Sequence, residues 1–401
     1  MSGTLHPEPR QAAAAHPGAA RLIGIDLARL VAVAGMMAAH TLGIEATVPP
    51  AVVALIDGPP STLFAVLGGV SVTLAGRARL EAGDRGGAMR STVARGVVVA
   101  LLGVLVAPLA LAVYVVLVPF GVAIALAAPL LLARSWLLAA LATAIMAGGG
   151  SVVTWASTHL LSLHHATTEL GPLESVLAAT NDVLLTGVYP ALTWLGYLTI
   201  GMLVARWMLS GRARGAERAM LTRLAGLGAL LTGIGVAMSE LGVLLLSDVV
   251  APGQPSIARD WLLENGYGAA PDDGLLWQLL AAPHTGTPAD MARTAGIALL
   301  AIGLLGLLVQ RMAPRTLRAL EPLRAAGGAP LTIYIVHVVG YSLAASLLID
   351  AAPALVSEWL GWAVQVAIAL AIGATLAASG ARGPFERLVG RAATLAAGRG
   401  G

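Results

Sequence analysis

Between Arg95 and Arg134 the chain runs for 38 residues without one charged side chain. Water-soluble domains interrupt such runs with solvated charge. A bilayer does not, and its hydrocarbon layer, about 30 Å thick, takes about 20 helical residues per crossing. The run is too long for one span, so it has to cross, turn shortly before Pro119 and cross back, which leaves Arg95 and Arg134 on one side. Further apolar windows complete a series at 22–41, 61–80, 96–113, 115–133, 136–155, 186–208, 224–247, 292–310, 328–349 and 359–379. The expected fold is all-α, a polytopic integral membrane protein with about ten transmembrane helices. Composition agrees, since 57% of the 401 residues are hydrophobic, 11% are charged, and the mean hydropathy is +0.83.

All 24 basic residues are arginine, a bias that suits a GC-rich bacterial genome. Of these, 21 fall in the segments 1–21, 77–95, 134, 206–223, 311–324 and 382–399, while the loops between hold only Arg259, with Arg293 at a boundary. Cytoplasmic loops carry the positive excess, so both termini are expected in the cytoplasm of a bacterial plasma membrane. The net charge of +3 then reflects topology, and no nucleic-acid partner is expected. Residues 1–21 read as a disordered cytoplasmic segment, 22–379 as one transmembrane domain with halves 22–210 and 211–379, and 380–401 as a cytoplasmic tail. The first span reads as an uncleaved signal-anchor. No internal repeat is visible. The absence of cysteine removes disulfides, thiolate metal sites and an acyl-cysteine intermediate. The outer-loop pair His164–His165 lacks other convergent ligands, so no metal is expected.

Within this apolar background the ionisable residues stand out. Arg29 and His40 are eleven positions apart on the first span, about three helical turns, so they share a face about 16 Å apart along the axis. Asp26 can pair with Arg29 across one turn. A charged group in a bilayer costs on the order of 3 kcal/mol, so such groups tend to mark a site or pathway. The plainer alternative is that Asp26 and Arg29 end the helix at one interface and His40 at the other. His40 has a side chain that titrates near neutral pH, suited to taking a proton from a hydroxyl or amine or to accepting an acyl group.

The run GIDLARLVAVAGMMAAH, residues 24–40, resembles the first helix of the transmembrane acyltransferase superfamily, which includes the acyltransferase-3 proteins and heparan-alpha-glucosaminide N-acetyltransferase-like proteins. Its Arg, ten residues, His spacing is similar to the acyltransferase-3 motif. DGPPSTLFAVLGGVSVTLAGR, residues 57–77, resembles the second helix of bacterial heparan-acetyltransferase-like proteins. AAPHTGTPADMARTAGIALLAIGLLGLL at 281–308, APLTIYIVHVV at 329–339 and GPFERL at 383–388 are similar to a bacterial domain of unknown function often fused to that module. The resemblance implies transfer of an acyl group, usually acetyl, from cytoplasmic acetyl-CoA or another acyl-CoA to an acceptor across the membrane, such as a glycan or glycolipid. His40, Arg29 and Asp26 become the candidate catalytic residues.

Arginine's planar fork suits the phosphates of coenzyme A, and Arg77, Arg79, Arg90 and Arg95 cluster on the cytoplasmic side, where the positive-inside rule also explains them. An acceptor or acyl pocket is expected from His284, Thr285 and Thr287 before the eighth span, from His337 amid the ninth, and from Glu240. Glu240, the one carboxylate well inside an apolar window, should face the interior paired with a histidine or Arg293, or else be protonated. A neutral His337 bonded to a neighbouring helix is the structural alternative for that residue. Expected partners are the bilayer, acyl-CoA and the acceptor, with a homodimer left open. A transporter or flippase would also place charge on inward helix faces, but no inverted repeat or matched pair of broken helices appears. A non-catalytic scaffold leaves the shared face of Arg29 and His40 unexplained.

Overall fold

The computed structural model describes residues 17–42, 48–163, 170–271 and 274–398, and all regular secondary structure in the described part is helical. Of the segment 1–21 read as disordered, residues 1–16 lie outside the described residues, as does the His164–His165 pair, while 17–21 open the first helix. Proline, whose missing N–H is no loss in a first turn, opens most of the helices. α1 covers Pro17–Leu42, α2 Pro50–Ile56 and α3 Pro59–Glu81. Between α2 and α3 the chain breaks at Asp57–Gly58, where Gly58 has φ +97°, a conformation that side chains other than glycine rarely adopt. α4 (Arg85–Val106) ends at a 3-10 turn, α5 (Leu117–Leu126) returns along it, and α6 (Ser135–His159) crosses again. The short α7 (Pro172–Asn181) precedes α8 (Ala191–Ala213) and the long α9 (Glu217–Val250). Then come α10 (Pro255–Leu262), α11 (Pro288–Gln310), the short α12 (Pro314–Ala319) and α13 (Glu321–Gly327), and α14 (Pro330–Leu348). α15 (Ala354–Ser357), α16 (Trp359–Ser379) and α17 (Pro384–Ala397) complete the chain.

Among the described residues, nine helices are long and apolar enough to cross a membrane. The window at 115–133 differs from the expected full span. It is α5 followed by a 3-10 turn over Pro129–Leu132. Pro129 has no N–H to donate and its ring crowds the carbonyl four residues back, so the α-helix stops there.

Glycine permits a very close crossing of α3 and α8. A Cβ at Gly69 of α3 would lie 1.9 Å from the Leu198 carbonyl oxygen of α8, and one at Gly201 of α8 would lie 1.9 Å from that of Val66. Lipid offers no hydrophobic gain for bringing helices together, so such small-residue contacts hold a bundle by van der Waals packing. α1, α8 and α11 are the most buried spans, whereas α9 and α16 present most of their surface outward. Many arginines gather at one end. Arg206 donates to the carbonyls of Leu130, Leu131 and Ala133, Arg90 to those of Ala396 and Ala397, and Arg324 lies 3.6 Å from Asp26. The segment read as a tail is mostly α17, which is packed against α4 and α14.

Candidate active site

His40 occupies the last turns of α1, and α14 supplies its partners. His40 Nδ1 is 2.8 Å from His337 Nε2, the two rings are parallel at 5.1 Å, and the other ring nitrogen of His337 bonds to Gln365 Oε1 on α16. The Tyr341 hydroxyl donates to the His40 backbone carbonyl at 2.7 Å, satisfying one of the carbonyls a helix end leaves open. The order of donors follows from Gln365. Its carbonyl oxygen accepts from His337 Nδ1–H, His337 Nε2 accepts from His40 Nδ1–H, and His40 Nε2 is left with a lone pair. His337 is therefore bonded to a neighbouring helix, as its structural reading required, and that neighbour carries His40.

A second imidazole meets the first across a cavity of about 30 Å³ lined by His40, Ser61, Tyr189, His284 and Tyr334, room for a water or a small reacting group. His284 Nε2 lies 3.1 Å from Asp57 Oδ1, and the Asn265 amide donates to the same oxygen at 3.2 Å. The Asp57–Gly58 break between α2 and α3 places this carboxylate against His284. His284 itself has φ +62°, strained for a residue with a side chain, and strain of this kind concentrates at functional sites. The Tyr189 ring meets His284 edge-on at 5.1 Å, and burial pushes its phenol pKa up, so the hydroxyl stays neutral.

Arg29 lies toward the other end of α1. It bonds Asp26 at 2.6 Å and the Ser71 hydroxyl at 3.0 Å. It also lines a larger cavity of about 170 Å³ together with Ser71, Arg95 and Glu386. Arg95 Nε is buried without a hydrogen-bond partner. Phe64 and Phe120 line this cavity and pack at 5.1 Å, while Phe64 lies 6.5 Å from Tyr334 of the histidine cavity. A layer of aromatic rings thus separates the two spaces.

Other candidates sit elsewhere. Arg77 pairs with Glu81, Arg79 with Asp84, and Arg90 caps α17, so these three are engaged outside the larger cavity. Thr287 caps α11 by accepting from the Asp290 N–H and donates to the Leu280 carbonyl, and Thr285 donates to that of Ala282. Both hydroxyls shape the loop that carries His284. Glu240 corrects the expectation of an inward carboxylate, because it is exposed and forms a two-pronged pair with Arg259 of α10 at 2.6 and 2.7 Å. α9 is about 51 Å long at 1.5 Å per residue, more than a bilayer requires. Glu240 lies about 35 Å from its start, where α10 folds back against it.

A family model described as heparan-alpha-glucosaminide N-acetyltransferase, catalytic, matches residues 21–236. The chain belongs to this family. No curated protein is similar enough to count as a match. Membership in an acetyltransferase family agrees with the resemblance of the first two spans. The matched segment of this N-acetyltransferase family member holds Arg29, His40, Asp57, Arg95 and Tyr189. Asn265, His284, His337 and Gln365 lie beyond it. The candidate site is therefore built from both halves of the chain. Sequence reasoning passed over Asp57, one acid among many in the outer loops, and Asn265. It also missed Gln365, whose lone amide in an apolar span was a usable signal.

Proposed function

We propose that the protein transfers an acyl group, acetyl by preference, from cytoplasmic acyl-CoA to a hydroxyl or amine of an extracytoplasmic glycan or glycolipid. The observation that carries this reading is the single cavity faced by two imidazoles with different supports, His40 on His337 and His284 on Asp57. Arg29 and Arg95 take the donor's phosphates in the larger cavity, with Arg77, Arg79 and Arg90 adding positive potential near its approach. His40 Nε2 removes the acceptor's proton, the freed oxygen or nitrogen attacks the thioester carbonyl carbon, and the carbon–sulfur bond breaks. The leaving sulfur takes a proton from the His284 imidazolium, which the Asp57 carboxylate stabilises. A proton then passes from His40 back to His284 across the cavity. The other route open to His40 is to carry the acyl group itself, which would leave acyl-His40 when donor is present without acceptor.

The test is release of free thiol from acetyl-CoA by the purified protein. The chain has no cysteine, so a thiol reagent reads the product without background. Acceptor-dependent release, lost in His40→Ala with donor binding kept, supports the reading. No release with any envelope extract overturns it.

A further inference from the structure

Asp290 and Arg293 lie in the first turns of α11 and are nearly sealed from solvent, at 3% and 8% exposure. Neither takes part in the transfer steps, and both lie beyond the segment that the family model matches. Three residues apart, they share one helix face and pair at 3.5 Å, Arg293 Nη2 to Asp290 Oδ1. A buried pair of this kind is a poor device for stability, since well-packed apolar side chains of similar size often serve as well. What the pair touches gives it another use.

Arg293 Nη1 donates at 3.1 Å to the carbonyl of Ala54, one of those that the end of α2 leaves without a helical partner. Its Nη2 lies 3.6 Å from where a Cβ at Gly58 would be, so the guanidinium packs against the Asp57–Gly58 break. On the other side, the Gly286 N–H donates to Asp290 Oδ2 at 3.3 Å, in a loop where His284 and Gly286 both have positive φ, +62° and +67°. One nitrogen of the arginine fork thus holds the segment that carries Asp57. The other, through Asp290, holds the segment that carries His284. The two segments meet at the 3.1 Å contact between His284 Nε2 and Asp57 Oδ1.

We propose that the Asp290–Arg293 pair is a positioning device that fixes His284 against Asp57. The role of His284 as proton donor rests on the acyltransferase reading, whereas its alignment with Asp57 is measured without catalysis, so the two can fail separately. Across the histidine cavity His284 faces His40, Tyr114, Tyr189 and Tyr334. A second cavity of about 30 Å³ shares His284 with the first and is lined by Asp290 and Tyr197. Phenols do not ionise near neutral pH, so among these groups Asp57 is the direct support of the His284 imidazolium.

Arg293→Lys is the discriminating variant. It keeps both buried charges, but a single ammonium cannot reach Ala54 and Asp290 from two nitrogens. The titration of His284 is followed by NMR of the full-length protein in detergent with isotope-labelled histidine, its signal among the eight histidines assigned by its loss in His284→Gln. The midpoint should fall by about one pH unit as Asp57 moves away. The kcat should fall about tenfold with the KM for acetyl-CoA unchanged. Asp290→Leu combined with Arg293→Leu removes both charges together, so neither is left alone in the interior. This double variant should keep the melting temperature and lose at least as much of kcat, and it is titrated instead if Arg293→Lys does not fold. A His284 midpoint that stays at its wild-type value overturns the proposal. So does a double variant whose activity falls only in step with its folded fraction, because the pair would then be structural. Absence of thiol release by the wild type would overturn the acyltransferase reading and leave the His284 midpoint to decide the role of the pair.

Discussion

For single side chains the decisive matter is which nitrogen of each imidazole is already occupied. His40 Nδ1 is taken by His337, so chemistry in the cavity falls to Nε2. His40→Ala should abolish transfer in a protein that still folds and binds donor. The wild-type rate should fall once pH is low enough to protonate His40, because a protonated ring neither accepts a proton nor attacks a thioester. Gln365 bonds His337, lies outside the lining of the histidine cavity, and acts by orienting the proton chain. Gln365→Leu should lower kcat about tenfold with KM for the donor unchanged, whereas Gln365→Glu, which keeps an acceptor oxygen, should recover most of the rate and move its pH profile. Arg29→Lys keeps charge but loses the fork that engages both Asp26 and Ser71, so donor affinity should fall. Unchanged affinity and turnover would leave Arg29 an anchor at the membrane surface.

Between elements, the α3–α8 crossing has no slack, because added Cβ atoms would lie within 2 Å of backbone oxygens on the opposite helix. Gly201→Val should cost at least about 1–3 kcal/mol, read as a lower melting temperature of the detergent-solubilised protein. At the arginine-rich end, Glu321 of α13 accepts from Arg324, which also approaches Asp26 on α1. The hydrogen bond from Arg324 is the main cause holding the Glu321 carboxyl below its ordinary value of 4.5. A carboxylate lowered in the folded state stabilises above its unfolded pKa, and the contribution disappears as pH falls through the lower folded value. Glu321→Gln should therefore lower the melting temperature at neutral pH and leave it unchanged once the wild-type carboxyl is protonated. The effect should stay under about 1 kcal/mol, since the pair is partly in water. α17 is tied at both ends. Glu386 accepts from the N–H groups of Leu331 and Thr332 at the start of α14, and Arg90 donates to the last carbonyls of the helix. This places Glu386 at the wall of the cavity that Arg29 and Arg95 share.

At the scale of the whole molecule, the proposed orientation puts α10 and the long outer loop outside and α12 inside. In intact cells an impermeant thiol reagent should label Leu275→Cys, which is 84% exposed, and should reach Arg315→Cys only after permeabilisation. The opposite pattern would reverse the topology. Hydropathy placed nine of the ten windows on long apolar helices because lipid acts on each residue separately, and twenty apolar neighbours are enough to answer it. The Asp26–Arg29 pair was legible for a related reason, since it is a local consequence of helical period. Glu240 was misplaced by the same logic. Its window is apolar, but the helix outruns the bilayer and a partner 19 residues later folds back to meet it. The meeting of His40 with His337, 297 positions away, and of His284 with Asp57 depends on how helices from the two halves pack. Apolar periodicity tells a helix which face to bury, and the sequence alone determined that much. Which side chains meet across the buried faces is set by close glycine contacts, a broken helix at Asp57–Gly58 and a strained loop at His284, and only the tertiary structure decided it.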